Sequence, residues 1–116
     1  MGDTQQQLHV GAAQVAEVYL DREATLQKDC KYIERAGKQG IDLLVFPEFH
    51  VPASPHLYTY DDSYTFEEFY ERLFENAVTV PGPAIDEICA AAKEANTAVV
   101  LGINEKRPNT AGTLYN

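Results

Sequence analysis

The 116-residue sequence contains no tryptophan, one methionine and only two cysteines. Two cysteines are too few for a disulfide scaffold and match no zinc-binding spacing, and both Cys30 and Cys89 fall on apolar helical stripes, so we interpret both as packed structural residues. No apolar run approaches the roughly 18 residues that a membrane helix needs, and the N-terminal residues lack the basic region and apolar core of a signal peptide. These absences predict a soluble, cytoplasmic protein.

Basic residues are also scarce. Nine Lys and Arg stand against 18 Asp and Glu, which gives a formal net charge of −9. A field of this sign repels phosphate backbones and anionic membrane surfaces, so we expect neither nucleic acid nor a membrane as a partner. A length of 116 residues suits a single domain. No repeat, low-complexity tract or linker divides the chain. Residues 1–7 are expected to form a disordered tail.

The most informative stretch is Gly40–Phe49, a short apolar run that leads into Phe-Pro-Glu. Such a run is typical of a buried parallel strand, and Pro47 ends it because proline cannot donate a hydrogen bond to the sheet. Glu48 is then expected at the rim, where open α/β sheets place their ligand crevices. Judged by spacing alone, a glutamate in this position more often caps a turn or faces water than takes part in catalysis.

Hydrophobic spacing and capping signals predict the remaining elements. Asp21 is a candidate N-cap for a first helix, and Thr65 with Glu68 forms a capping box for a second. Residues 49–64 show no clean period and are predicted to form a long loop beside the site. Because a strand, a helix and a second strand make a βαβ unit, we predict an α/β fold with a parallel sheet. Strands are predicted near residues 8–15, 42–46 and 97–103, with a fourth beginning at 112–116, and helices near 22–39, 65–78 and 83–95.

The segment Asp42–Glu48, which follows Ala13–Gln14 on the first strand, resembles the first catalytic block of the nitrilase superfamily of carbon–nitrogen hydrolases. The resemblance continues through Pro81–Pro83, Leu101–Glu105 and Gly112–Asn116, and the last two look closest to the nitrilase and cyanide-hydrolase branch. It implies that the whole 116-residue chain is one partial carbon–nitrogen hydrolase domain. The implied fold is the N-terminal part of a four-layer αββα sandwich.

In that superfamily the glutamate after Phe-Pro is the general base of a Glu-Lys-Cys set, so the resemblance implies that role for Glu48. The lysine and the cysteine come from blocks that follow the Gly-Thr-Leu-Tyr-Asn strand, and this chain contains neither block. The resemblance therefore implies that a longer parent protein hydrolyses a nitrile or an amide, that this chain alone is inactive, and that no metal or organic cofactor takes part. We also expect a small-molecule substrate and a homo-oligomer.

Three further residues are assigned to the neighbourhood of the site. Many superfamily members carry Gly-Tyr-Pro shortly after the catalytic glutamate, whereas this chain has Ala-Ser-Pro around Ser54. Ser54 is therefore a candidate substrate-binding residue, and the substrate preference stays open. The loop residue Tyr58 is a second candidate, for which a merely exposed loop position is an equal alternative. Glu105 follows a strand end as Glu48 does, and we interpret it as a structural residue that binds backbone amides or Arg107.

Other chemistries are also compatible with the sequence. A Cys-His hydrolase would combine Cys30 or Cys89 with a loop histidine, but a thiol on an apolar stripe is a poor nucleophile. A metal site would need Glu48, His50 and His56, whose spacing matches no strong zinc pattern, and we interpret both histidines as loop residues. The non-enzymatic alternative is a truncated α/β interaction domain, and within the superfamily the amidase and carbamoylase branches remain alternatives.

Overall fold

The computed structural model describes residues 5–116, so the first part of the predicted tail lies outside the described residues. Gln5–Gln7 are exposed and belong to no helix or strand. The α/β class predicted from the sequence is confirmed. In chain order the elements are β1 (Val10–Ala12), α1 (Arg22–Lys38), β2 (Leu43–Val45), a 3₁₀ helix (Pro55–Tyr60), α2 (Phe66–Glu75), α3 (Pro83–Ala95), β3 (Ala98–Val100), β4 (Glu105–Lys106) and β5 (Leu114–Tyr115).

The first three strands form one parallel sheet in the order β1-β2-β3, with β2 in the centre. Gly11, Leu44 and Val99 lie side by side in its middle row. Helices α1 and α3 pack against each other and cover the face that carries Leu44, so the main core lies between these helices and the sheet. β1, α1 and β2 form the parallel βαβ unit that the sequence predicts.

The opposite face of this sheet carries apolar side chains that remain exposed. Val10 is 60% exposed and Val100 is 52% exposed, and Ala12 and Ala98 on the same face are exposed as well. Side chains of β2 on this face are half-buried between the two outer strands. An apolar face of this kind is a surface that soluble proteins normally cover.

The strands are shorter than predicted. β1, β2 and β3 have three residues each, and beyond them the chain pairs through single bridges, such as that between Val51 and Ile103. The predicted fourth strand is present as β5, but it belongs to a separate two-stranded sheet in which it pairs antiparallel with β4. Both ladders of the parallel sheet end at Val45 of β2. Pro47 follows two residues later and has no amide hydrogen to donate to a further ladder bond.

The helices begin where the capping residues predict. The Asp21 side chain accepts a hydrogen bond from the first turn of α1, and Thr65 and Glu68 form both bonds of the capping box at α2. Asn96 caps the C-terminal end of α3, and its left-handed φ of 52° is the predicted cap conformation. α2 ends at Glu75 rather than near residue 78, and Val78 instead forms a bridge with Glu105 of β4. No helix within residues 5–116 is long and apolar enough to cross a membrane.

The segment predicted as an irregular loop at residues 49–64 contains the 3₁₀ helix, which corrects the prediction. Ser54 begins this helix, because its Oγ accepts a hydrogen bond from His56 N at 3.3 Å. Pro55 occupies the first helical position, where a missing amide hydrogen costs nothing. Leu57 and Tyr58 then pack against a second small core formed by Leu20, Ala53, Phe69 and Leu73.

Candidate active site

Glu48 lies just beyond the C-terminal end of β2, at the edge of the parallel sheet. Phe46 N still donates to Val100 O at 2.9 Å, so the chain leaves the sheet only at Pro47. Phe49 then adopts a left-handed φ of 53°, which turns the chain sharply. The turn leaves the Glu48 side chain exposed at the edge where the sequence predicts it.

A glycine in the segment after β3 makes room for this turn. A Cβ atom at Gly102 would lie 2.1 Å from Pro47 O, 2.8 Å from Glu48 Cα and 2.9 Å from Phe49 N. These distances are far below van der Waals contact, and all three atoms are backbone, so no side-chain rotation relieves the overlap. The same residue accepts a hydrogen bond at its carbonyl from Val51 N at 3.1 Å. Only glycine fits between these two backbone segments.

Asn104 fastens the chain that follows Glu48. Its side chain is buried, and its Nδ2 donates to Val51 O at 3.1 Å and to Ala53 O at 2.9 Å. Its backbone N also donates to Val51 O, at 2.9 Å. In the sequence Asn104 lies within the family landmark Leu101–Glu105, and the pattern predicts no role for its side chain. Together with Gly102 it holds residues 47–53 against the segment between β3 and β4.

A buried Asp29–His50 pair was missed by the sequence analysis, which interpreted His50 as a loop residue. His50 Nε2 lies 2.8 Å from Asp29 Oδ1, and both side chains are fully buried. The His50 ring also packs on Phe46, with ring centroids 5.4 Å apart. Within the described residues, Asp29 Oδ2 and His50 Nδ1 have no hydrogen-bond partner. One signal was available: Asp29 lies on the buried face of α1 between Leu26 and Ile33, where an unpaired carboxylate is costly.

The Glu48 carboxylate is itself held by a side chain from the far end of the chain. Asn116 Nδ2 donates to Glu48 Oε1 at 2.6 Å. In the antiparallel β4–β5 ladder Glu105 pairs with Tyr115, so Asn116 follows directly after the ladder. Two segments distant in sequence thus fix Glu48, one through its backbone and one through its carboxylate.

Ser54 and Tyr58 lie in the 3₁₀ helix that follows the Glu48 turn. The Ser54 hydroxyl is used as the cap of that helix. The half-buried Tyr58 ring packs on Phe66 and Phe69, with centroid distances of 5.3 Å and 5.7 Å. No hydrogen bond among residues 5–116 joins either side chain to Glu48. Their substrate-binding role stays a prediction.

Glu105 lies in β4, half-buried, where its backbone pairs with Tyr115 and bridges to Val78. Among the described residues its carboxylate forms no ion pair, so the contact with Arg107 considered above is not made. The Arg107 guanidinium lies over the Tyr115 ring instead, 5.5 Å from its centroid. Glu105 therefore contributes to the β4–β5 ladder through its backbone.

Neither cysteine has the surroundings of a nucleophile paired with histidine. Burial raises the pKa of the half-buried Cys30 thiol, and the nearby charges of Glu87 and Asp29 raise it further. A raised pKa lowers the thiolate fraction on which reactivity depends. Cys89 is exposed, so the prediction that it lies on a packed face is wrong: α3 fully buries only Ile88.

The three residues of the alternative metal site are not brought together. His50 is turned into the core toward Asp29, whereas Glu48 is exposed at the sheet edge. The His56 ring packs edge-on against Phe49, with centroids 6.5 Å apart. In the part of the chain that the structure describes, no group of three His, Cys, Asp or Glu side chains is placed to hold a metal ion.

Comparison with known proteins identifies the family. Residues 9–116 match the model of the carbon-nitrogen hydrolase family. The chain is 37% identical over 106 residues to Nitrilase 2 from an unknown prokaryotic organism, 35% identical over 105 residues to an arylacetonitrilase from Aspergillus oryzae, and 33% identical over 107 residues to an aliphatic nitrilase from Rhodococcus rhodochrous. These alignments cover 91%, 90% and 91% of this chain and 34%, 31% and 28% of the three relatives, so the chain spans about a third of the curated relatives it matches. The chain belongs to the carbon-nitrogen hydrolase family.

Proposed function

We propose that the whole protein is a nitrilase, which hydrolyses a small-molecule nitrile to a carboxylic acid and ammonia with Glu48 as its general base. The observation that carries the proposal is the placement of Glu48: an exposed carboxylate at the carboxyl edge of a parallel sheet, beyond a turn that Gly102 and Asn104 hold in place. The relatives named above carry nitrilase names, which favours a nitrile over an amide as the substrate.

In the proposed reaction a cysteine thiol attacks the nitrile carbon while Glu48 accepts the thiol proton. The new carbon–sulfur bond gives a thioimidate, whose nitrogen takes the proton from Glu48 as the triple bond becomes a double bond, so the Glu48 carboxylate is ionised again. A first water converts the thioimidate to a thioester and releases ammonia, and a second water releases the carboxylic acid and restores the thiol. A lysine ammonium stabilises the negative charge that develops on the nitrogen.

In this proposal the cysteine and the lysine lie outside the aligned third of the relatives' length, as the resemblance described above implies. Cys30 is a poor substitute because its raised pKa keeps it protonated, and Cys89 lies on the exposed side of α3. We therefore expect residues 1–116 alone to release no ammonia from any nitrile or amide. Ammonia release by this chain alone would contradict the proposal that the catalytic cysteine and lysine lie in another part of the protein.

The test of the proposal is Glu48→Gln in the full-length protein, with ammonia release measured on a panel of nitriles and amides. Glutamine keeps the shape of the side chain and removes its basicity, so kcat/KM should fall by at least about 10²- to 10⁴-fold. Glu67→Gln is the matched control, because Glu67 is an exposed carboxylate on α2. A normally folded Glu48→Gln protein with near wild-type turnover would refute the assignment.

The same panel decides between the remaining alternatives. Turnover of amides in preference to nitriles would favour the amidase or carbamoylase branch. Absence of a lysine and a cysteine in the reading frame beyond Asn116 would favour a non-catalytic interaction domain. The cytoplasmic location and the homo-oligomer stay predictions, and light scattering of the full-length protein tests the second.

A further inference from the structure

The Glu48 carboxylate is held on one side only. Asn116 Nδ2 donates to Oε1 at 2.6 Å, and within residues 5–116 no other side-chain hydrogen bond and no ion pair reaches Glu48. Oε2 is therefore left without a side-chain partner among these residues, on a side chain that is exposed. One oxygen is fixed and the other is available.

Asn116 is placed by ordered structure. The β4–β5 ladder pairs Lys106 with Leu114 and Glu105 with Tyr115, which fixes the direction of the chain at residue 116. The loop before β5 is anchored as well, because the Tyr70 hydroxyl on α2 donates to Gly112 O. The charged residues on or next to this ladder are Glu105 and Lys106 of β4 and Arg107. Lys106 Nζ donates to Phe74 O and Glu75 O, and the Arg107 guanidinium lies over the Tyr115 ring.

The chemical nature of the donor matters for a base. A lysine or arginine at this position would favour the ionised carboxylate strongly and so weaken its tendency to accept a proton. An amide donates one hydrogen bond without adding a full positive charge, and it accepts no proton from the carboxylate. It can therefore orient a carboxylate at a smaller cost in basicity. Holding a reacting group in place is itself a large contribution to rate.

We propose that Asn116 is a positioning residue for the general base: its amide fixes Oε1 of Glu48 so that Oε2 faces the nucleophile. This inference rests on the proposed function, in which Glu48 is that base. Asn116 then acts through Glu48, whose carboxylate it binds, so we expect its loss to lower kcat rather than to raise KM.

The test uses Asn116→Leu and Asn116→Asp in the full-length protein, with Thr113→Val, an exposed position just before β5, as the control. Leucine is close in shape to asparagine and removes the donor, so kcat should fall about 10- to 100-fold with KM nearly unchanged. Aspartate places a second carboxylate at hydrogen-bond distance from the first, and two such groups cannot both ionise freely. The acid limb of the pH profile of kcat/KM for Asn116→Asp should therefore shift to higher pH by about one unit or more. Asn116→Leu should not show this shift.

The outcomes separate this inference from the proposed function. If Glu48→Gln abolishes turnover while Asn116→Leu and Asn116→Asp behave like Thr113→Val, Glu48 remains the base and the positioning role is wrong. If Glu48→Gln keeps turnover, the proposed function itself fails. Should Asn116→Leu fail to fold, Asn116→Asp decides alone, since an unshifted acid limb in a folded Asn116→Asp protein overturns the inference.

Discussion

Gly102→Ala tests whether the close approach of two backbone segments positions Glu48. The new methyl carbon would lie 2.1 Å from Pro47 O, whereas ordinary van der Waals contact begins at 3.4 Å. The segments must therefore separate by about 1 Å before the methyl group fits. Since Glu48 Cα at 2.8 Å and Phe49 N at 2.9 Å are also too close, the displacement moves the turn that carries the carboxylate.

Two losses follow from this displacement. Overpacking of a tight site typically costs 1–3 kcal/mol, and the rigid backbone on both sides puts Gly102→Ala at about 3 kcal/mol or more of the free energy of unfolding. The hydrogen bond from Val51 N to Gly102 O, at 3.1 Å, is strained by the same movement. A misplacement of about 1 Å costs on the order of 10²-fold in rate, so turnover should fall by that factor in protein that is still folded.

The measurements are urea denaturation and ammonia release by the full-length protein. Gly11→Ala is the matched control, because its Cβ would meet Ile41 Cγ2 and Leu44 Cδ1 at 3.3 Å, and these side-chain ends can move by a few tenths of an ångström. We expect Gly11→Ala to cost less than about 1 kcal/mol and to keep turnover. A Gly102→Ala protein with wild-type stability and wild-type turnover would refute the reasoning.

Two further predictions concern the core and the sheet. Asp29→Ala leaves the buried His50 without its hydrogen-bond partner, so urea denaturation should show that the free energy of unfolding falls by about 2–4 kcal/mol. Adding His50→Phe should recover part of this loss. If the two changes lower the free energy of unfolding in a strictly additive way, the residues are not a coupled pair. Because the sheet face with Val10 and Val100 is apolar and exposed, we expect the isolated 116-residue chain to self-associate. The double change Val10→Thr and Val100→Thr should reduce this association, as measured by light scattering. A stable wild-type monomer at high concentration would contradict the prediction.

The features that sequence reasoning predicted correctly are decided by neighbours a few residues apart. The N-cap at Asp21 and the capping box at Thr65 involve partners three residues away, so the sequence pattern contains the whole interaction. The position of Glu48 at a strand end is also local, because Pro47 alone is enough to end the ladder. Helix starts and the edge position of Glu48 were therefore predictable.

The features that were missed join residues far apart in the chain. The Asp29–His50 hydrogen bond spans 21 positions, and the contact of Asn116 with Glu48 spans 68. No periodicity or capping rule relates such pairs. The error at Cys89 has another cause. The helical pattern marks a stripe, but α3 fully buries only Ile88, so the neighbouring Cys89 at the edge of the stripe remains exposed.

Glu48 is held in two ways, through its backbone and through its carboxylate, and mutations that remove one or the other are expected to have different effects. Gly102 and Asn104 act on the backbone, so changes there should lower stability and turnover together. Asn116 acts on the carboxylate, which is exposed, so its loss should lower turnover with little effect on stability. If Glu48 were a surface glutamate without a catalytic role, changes at Gly102 and Asn104 would lower stability alone, and the loss of Asn116 would leave both stability and turnover nearly unchanged. The presence of variants that reduce turnover without loss of stability therefore distinguishes a positioned base from a glutamate that merely lies at the end of a strand.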